Sequence, residues 1–301
     1  MGRLYMILGN VIVVGILIKG GIFMKKVKLI ADSSCDMTTL EGVDFSTAPL
    51  IISTDEKSFV DNEQLNVSEM LDYLESYKGR SYTACPNVDA WLEAYQGADE
   101  IYVVTLSSGV SGTYAAANTA AELYKEENPA AKVHIFDTLS AGPEVRMLTQ
   151  NIAAYIKEGR SFEEICAMGE RDIKGTRIFF ALQSFHNFAE NGRVNKTVAR
   201  LGSVLGIRVM ATASEKGTIE ITDKCRGEKA TLKRFLERMD ETGYQGGKAY
   251  IAHCQAEEFA IKIQMSILEK YPNAQICVYE TRGLCSFYAE KGGVLLGFEK
   301  Q

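Results

Sequence analysis

The chain has 301 residues, 46% apolar and 24% charged, with 33 Lys and Arg against 39 Asp and Glu and a net charge of −6. These proportions are those of a soluble globular protein and exclude a disordered, collagen-like or polytopic membrane chain. The acidic balance, without any cluster of Lys and Arg, argues against nucleic acid as a partner, since phosphate neutralisation needs concentrated basic side chains. The length suits about two domains. Seven Cys with no Cys-x-x-Cys pair read as reduced thiols of a cytoplasmic protein, not a disulfide framework.

Residues 4–18 are apolar except for Asn10 and two Gly, with Arg3 before them and Lys19, Lys25, Lys26 and Lys28 after. The run is shorter than the roughly 20 residues a spanning helix needs, and Gly20-Gly21 is a poor cleavage site for a signal peptide. Met24-Lys25-Lys26 leads without a linker into residues 27–31, which read as a first buried strand. The expectation is that the folded chain begins at Met24 and that residues 1–23 are an upstream extension. A false start is the favoured reading; a signal or anchor and a genuine extra element are the alternatives.

From Met24 onward the pattern is α/β. Strand-like runs at 27–31, 101–106 and 133–136 are each expected to lead through a polar or Gly loop into a helix. Helices are expected over 113–127 and 143–157, which gives a mostly parallel sheet with flanking helices. The second half changes character. Strands are expected at 177–182, 209–213, 218–222, 249–253, 276–279 and 293–298, with helices over 196–205, 228–242 and 257–271. The runs flanking Lys216-Gly217 suggest a hairpin, so this sheet should be mixed or antiparallel. The resulting division is an N-terminal α/β domain over 24–170 and a C-terminal α/β domain over 171–301, with the boundary near Gly169 to Gly175.

Ligands of such sheets bind at the carboxyl ends of the strands, where three polar loops fall. The richest is Ser107-Ser108-Gly109-Val110-Ser111-Gly112-Thr113, whose hydroxyls and glycines precede a helix and suit an anion, although each hydroxyl also suits simple helix capping. Asp32-Ser33-Ser34-Cys35-Asp36 looks like an acid-flanked phosphate or metal site, but such residues after a strand more often satisfy loop backbone. The third loop is Asp137-Thr138-Leu139-Ser140-Ala141-Gly142. Thr83, in a turn leading to the helix of Trp91, offers a donor for a carboxylate.

Catalytic constellations are sparse. His134, His186 and His253 have no metal-ligand spacing. There is no Gly-x-Ser-x-Gly elbow, no phosphate-binding Gly-x-x-x-x-Gly-Lys-Ser/Thr loop, and no Gly-x-Gly-x-x-Gly after the first strand. Hydroxyls, glycines and apolar surface without an evident base describe a binding site for an apolar acid better than an active site.

Several motifs then occur in order. They are Leu29-Ile30-Ala31-Asp32-Ser33-Ser34-Cys35-Asp36, Thr83-Ala84-Cys85-Pro86-Asn87, Ser107-Ser108-Gly109-Val110-Ser111-Gly112-Thr113-Tyr114 and Phe136-Asp137-Thr138. Asn191-Gly192-Arg193-Val194, the run from Leu201 to Ile207, Gly217-Thr218-Ile219 and Lys224-Cys225-Arg226 follow. Over nearly all of residues 24–301 the chain resembles the DegV family of bacterial fatty-acid-binding proteins.

The resemblance implies a two-domain DegV-like fold that binds one long-chain fatty acid and needs no cofactor or metal. It further implies a carrier without catalytic machinery of its own, which presents the acyl carboxylate to a separate ATP-binding subunit of a fatty acid kinase. The acyl phosphate so formed would feed phospholipid synthesis. Thr83, Ser107 and Ser108 match the hydroxyls that hold the carboxylate, with Asp32, Ser33, Ser111, Gly112 and Arg193 as supporting or head-group loop positions. Arg226 matches a basic position associated with docking the kinase. Two departures stand out: Ala84 lacks a hydroxyl that the family carries, and Tyr288 stands where the family has a carboxylate-contacting His. Two other function classes remain at this stage, a hydrolase or acyltransferase using a loop Ser, and a lipid sensor without a kinase partner.

Overall fold

The computed structural model describes residues 3–8, 11–18, 21–195, 197 and 206–300, with side chains described from Lys25 onward. The first strands, β1 (Arg3–Leu8), β2 (Val11–Ile18) and β3 (Gly21–Lys25), form an antiparallel meander that is a sheet of its own. No helix among the described residues is long and apolar enough to cross a membrane. Apart from Thr197, the expected helix over 196–205 lies outside the described residues, as does most of the 201–207 motif.

β4 (Val27–Asp32), β5 (Asp44–Ala48), β9 (Glu100–Thr105) and β10 (Lys132–Asp137) make a parallel sheet in the order β10-β9-β4-β5. Its central strands are covered on both faces, as parallel strands require. Ile30, Ile101 and Val103 pack with Trp91 and Tyr95 of helix α2 (Val88–Tyr95) and with Ala117 and Tyr124 of α3 (Thr113–Glu127). Leu29, Ala31, Tyr102 and Val104 face α4 (Pro143–Lys157) and α5 (Phe162–Lys174). One expectation fails here. β4 is followed by a single 3-10 turn, Ser33–Cys35, and not by a helix, because Asp32 folds its carboxylate back onto the Ser34 N–H and the left-handed Asp36 (φ 55°) ends the turn.

A small antiparallel sheet, β6 (Ile51–Thr54), β7 (Ser58–Val60) and β8 (Ser81–Ala84), runs in the order β7-β6-β8 beside α1 (Val67–Ser76). The larger second sheet is mixed. Its order is β13 (Ile219–Arg226), β12 (Ile207–Ala213), β11 (Thr176–Leu182), β16 (Val294–Glu299), β14 (Lys248–His253), β15 (Gln275–Glu280), and only β14 and β15 are parallel neighbours. Side chains alternate along β11. Phe179 and Ala181 pack under α7 (Gly227–Glu241) and α8 (Glu257–Lys270), while Ile178, Phe180 and Leu182 share the opposite-face core with Ile52 and Phe59 of the small sheet and Met70 of α1.

Gly169 lies inside α5, where a Cβ would come within 2.5 Å of the Phe136 ring, so close packing accounts for this glycine. The chain passes into the second sheet at Gly175, the C-cap of α5. α4 lies between the two sheets, against β4 and β9 on one side and β11, β14 and β16 on the other.

The junction at Met24 yields a direct test. β3 pairs only within the meander sheet, whereas Lys25 pairs with Glu100 and the Lys26 N–H donates to Asp99. Protein begun at Met24 keeps those ties and should melt within a few degrees of the full chain by circular dichroism. A collapse of the cooperative transition would make residues 1–23 part of the core.

Candidate functional site

Between the carboxyl ends of β9 and β10 and the inner face of the second sheet lies a cavity of about 820 Å³ including its mouth. Its long wall is aliphatic and aromatic: Ile178, Phe180 and Leu182 from β11, Leu295 from β16, and Ile219 from β13. Leu106 and Ala141 close it from the first sheet, and Leu284, Cys285 and Ala289 from α9 (Gly283–Ala289).

Polar groups gather at Thr83, Ser107, Ser111, Arg193, Thr218 and Tyr288. Strand alternation turns Thr83 inward and leaves Ala84 exposed, so the hydroxyl missing at Ala84 is no loss to the cavity wall. The Thr83 hydroxyl and the Tyr288 phenol are hydrogen-bonded at 2.8 Å. Tyr288 is further fixed by stacking on Phe188 of α6 (His186–Glu190), centroids 4.5 Å apart, and by an edge contact to Phe287. Burial raises the Tyr288 pKa, the Thr83 bond and the Arg193 charge opposing it, so the phenol is neutral. Arg193 donates to the carbonyls of Val110 and Asn191. Among the described residues no carboxylate pairs with it, so its charge faces the cavity uncompensated.

The expected Ser107–Ser108 pair is divided by the structure. Ser107 lines the cavity, but its hydroxyl donates to the Gly217 carbonyl at 2.7 Å and accepts the Gly109 N–H at 3.0 Å. Ser108 is exposed and outside the lining, its N–H held by Asp137 at 3.0 Å. Ser111 lines the cavity and accepts the Thr113 N–H, whereas Gly112 is the exposed N-cap of α3. Asp32 and Ser33 do not line the cavity. Asp32 accepts the N–H groups of Leu106 and Ser34, and Ser33 accepts that of Leu50, so both serve the loop backbone. Arg226 is exposed at the N-cap of α7.

Sequence reasoning missed the seat of α9. Asp61, from the loop after β7, accepts the N–H groups of Gly283 and Leu284 at 3.0 and 2.9 Å, and Asp36 accepts that of Arg282 at 2.7 Å. Two carboxylates thus satisfy the first turn of the helix that carries Tyr288 to the cavity. Nothing in the local pattern around Asp61 signals this, because its partners lie more than 200 residues away.

The chain matches the model of the DegV family of uncharacterised proteins over residues 26–300. It belongs to the DegV family. A DegV domain-containing protein of Streptococcus gordonii is 38% identical over 276 residues, covering 90% of this chain and 98% of that one. Among solved structures, a DegV family protein of Eubacterium eligens loaded with heptadecanoic acid is 48% identical with a TM-score of 0.89, covering 91% of this chain and 100% of that one. The Fatty Acid Kinase (Fak) B3 protein of Streptococcus pneumoniae, loaded with linoleic acid, is 35% identical with a TM-score of 0.89, covering 92% and 100%. The fold is therefore the two-sheet α/β fold of these DegV proteins.

One contact in this DegV protein closes the cavity across both sheets. Gly217 (φ +70°) turns the β12–β13 hairpin, and a Cβ there would lie 2.0 Å from the Ser107 oxygen. Gly217→Ala should break the Ser107–Gly217 bond and cost at least about 1–2 kcal/mol through the left-handed backbone alone. Urea denaturation of the two proteins measures it, and equal midpoints would show that the hairpin does not bear on Ser107.

Proposed function

We propose that this protein binds a long-chain fatty acid and presents its carboxylate to a separate fatty acid kinase subunit. The observation that carries the reading is an apolar cavity, open at its mouth, with neutral hydroxyls at its polar end and, among the described residues, a guanidinium there that no carboxylate pairs. A fatty acid has the same division. Each buried methylene contributes about 0.8 kcal/mol, so the tail supplies the affinity. The carboxylate, costly to desolvate unless hydrogen-bonded, takes its place among Thr83, Tyr288, Ser111 and Arg193. Of the two hydroxyl hydrogens at Thr83 and Tyr288, one lies between them and the other is left for the ligand.

In this reading one carboxylate oxygen stays reachable and attacks the γ-phosphorus of ATP held by the partner, releasing ADP and leaving an acyl phosphate on the carrier. The protein supplies the position of the acid and the exclusion of water from its tail. No His or Lys side chain among the described residues hydrogen-bonds to the hydroxyl of Ser107, Ser108 or Ser111, which favours a carrier over a serine hydrolase or acyltransferase. Transfer to a kinase, as against simple lipid sensing, is supported by the similarity to the Streptococcus pneumoniae protein.

The decisive experiment is mass spectrometry of lipid extracted from the purified protein, followed by incubation with ATP and the kinase subunit. A long-chain fatty acid that becomes its acyl phosphate supports the reading, and a different lipid class overturns it.

Site variants refine it. Thr83→Val should weaken fatty-acid binding by roughly 1.5–3 kcal/mol, as for a hydrogen bond to a charged group, and Tyr288→Phe by about 1 kcal/mol. Ser108→Ala should leave affinity unchanged. Tyr288→His should add an acid-side component between pH 5 and 7 relative to the unaltered protein, because an imidazole charges there and a buried phenol does not. Displacement of a fluorescent fatty acid across that range measures all four, and coincident curves would move the carboxylate away from Tyr288.

Arg226→Ala should leave lipid binding intact and slow acyl-phosphate formation, since an exposed Arg at a transient interface is a frequent hot spot. Equal losses in both assays would assign Arg226 to the fold and not to docking.

A further inference from the structure

The seat of α9 holds more negative charge than positive. Three carboxylates meet there: Asp32 at the end of β4, Asp36 after the 3-10 turn, and Asp61 after β7. All three are buried, with exposures of 0%, 5% and 1%. Among the described residues the cations facing them are two, Arg146 of α4, which donates to the Asp36 carbonyl, and Arg282, whose guanidinium lies 3.9 Å from Asp61. The neutral neighbours are the thiols of Cys35 and Cys285 and the phenol of Tyr279, whose ring carries the Arg146 guanidinium at 4.0 Å. Three buried anions against two cations leave one charge uncompensated, and a buried site relieves such an excess by keeping a proton.

The unpartnered atoms agree. Asp36 Oδ2, Arg146 Nε, Arg282 Nε and the Tyr279 hydroxyl are all buried without a hydrogen-bond partner. Unpaired polar atoms buried around one carboxyl are costly and need a partner, and a proton on the Asp36 carboxyl supplies a donor among them. Burial raises the pKa of each carboxyl, Asp32 to about 6 and Asp36 to about 7, with Asp61 shifted in the same direction. The Cys285 thiol lies beside the Asp36 carboxyl and is also part of the cavity wall.

We propose that the seat of α9 keeps one proton, held on Asp36, and that Asp36 and Asp61 are positioning residues through which that proton makes closure of the cavity around its ligand pH-dependent. The idea rests on the fatty-acid reading for what closure serves. With the proton in place, both carboxylates accept the N–H groups of residues 282–284 and α9 holds Tyr288 against Thr83. When the proton leaves, a net negative charge remains beneath Cys285, repelling both its neighbours and an acidic ligand. The sign follows from linkage. Folded pKa values above the unfolded value near 3.9 give stability that is full below about pH 4 and is lost as pH rises through about 6 to 7.

The test uses the full chain and two readouts. Carbon-13 NMR of the Asp carboxyls should show one that stays protonated above pH 6 and whose titration disappears in Asp36→Asn, a residue that tolerates the left-handed backbone at this position. Ionisation of every Asp carboxyl by pH 5.5 would overturn the proposal. In the second readout, displacement of a fluorescent fatty acid from pH 6 to 9 should weaken several-fold for the unaltered protein and less for Asp36→Asn. The ligand's own titration is common to both. Parallel curves would overturn the coupling. If no fatty acid binds at all, the functional reading fails while the NMR titration still decides the retained proton. Should Asp36→Asn not fold, Asp61→Asn takes its place.

Discussion

The cavity depends on how closely α4 approaches the second sheet. Gly297, in the centre of β16, has no side chain, and a Cβ there would come within 2.7 Å of Pro143 at the start of α4. The helix therefore rests directly on the central strand while its other side covers β4 and β9. One helix buried between two sheets fixes their separation at one end. Beyond the helix N-terminus the same separation leaves space, and that space is the cavity. Gly142, at positive φ immediately before α4, sits where a Cβ would crowd Leu295 of the cavity wall at 3.3 Å, so the turn into the helix also keeps the cavity open.

The chemistry of the walls follows from which element faces the space. β11 turns alternate apolar residues toward it because its opposite face already serves the α7 and α8 layer. The polar end is built from strand-end loops, where backbone must be satisfied locally and hydroxyls accumulate. Most of those hydroxyls are consumed by the fold: Ser107 by Gly217, Ser33 by Leu50, Ser34 by Asp32. Thr83 and Tyr288 are different, since their one mutual bond leaves hydrogen-bonding capacity over.

Much of this was legible in the sequence. The α/β alternation, the parallel first sheet, the mixed second sheet and the hairpin at Lys216-Gly217 follow from periodicity and turn residues, which are local. Thr83 was offered as a donor by its turn, Arg193 and Tyr288 were legible only through the family's motifs, and the structure brings all three to one cavity. Three things were not legible. Residues 4–18 were weighed as a helix by length alone, although Gly9-Asn10 between two apolar runs is also a hairpin signal. Ser108 was paired with Ser107 by adjacency, but neighbouring side chains diverge in a loop, and only Ser107 meets the hairpin. Asp61 gave no sign, because the groups that need it belong to a helix at the other end of the chain.

Tyr288 shows how a change of residue type acts through its surroundings. An imidazole in its place could carry a charge and attract a carboxylate from a distance. The phenol cannot, so among the described residues the positive charge at this end of the cavity is that of Arg193, whose guanidinium is anchored to the Val110 and Asn191 carbonyls and pairs with no described carboxylate. What Tyr288 adds is rigidity. Stacked on Phe188 and edge-on to Phe287, it holds the Thr83 oxygen in one direction. Orientation and attraction, which a single charged ring can combine, are divided here between a fixed neutral pair and one cation.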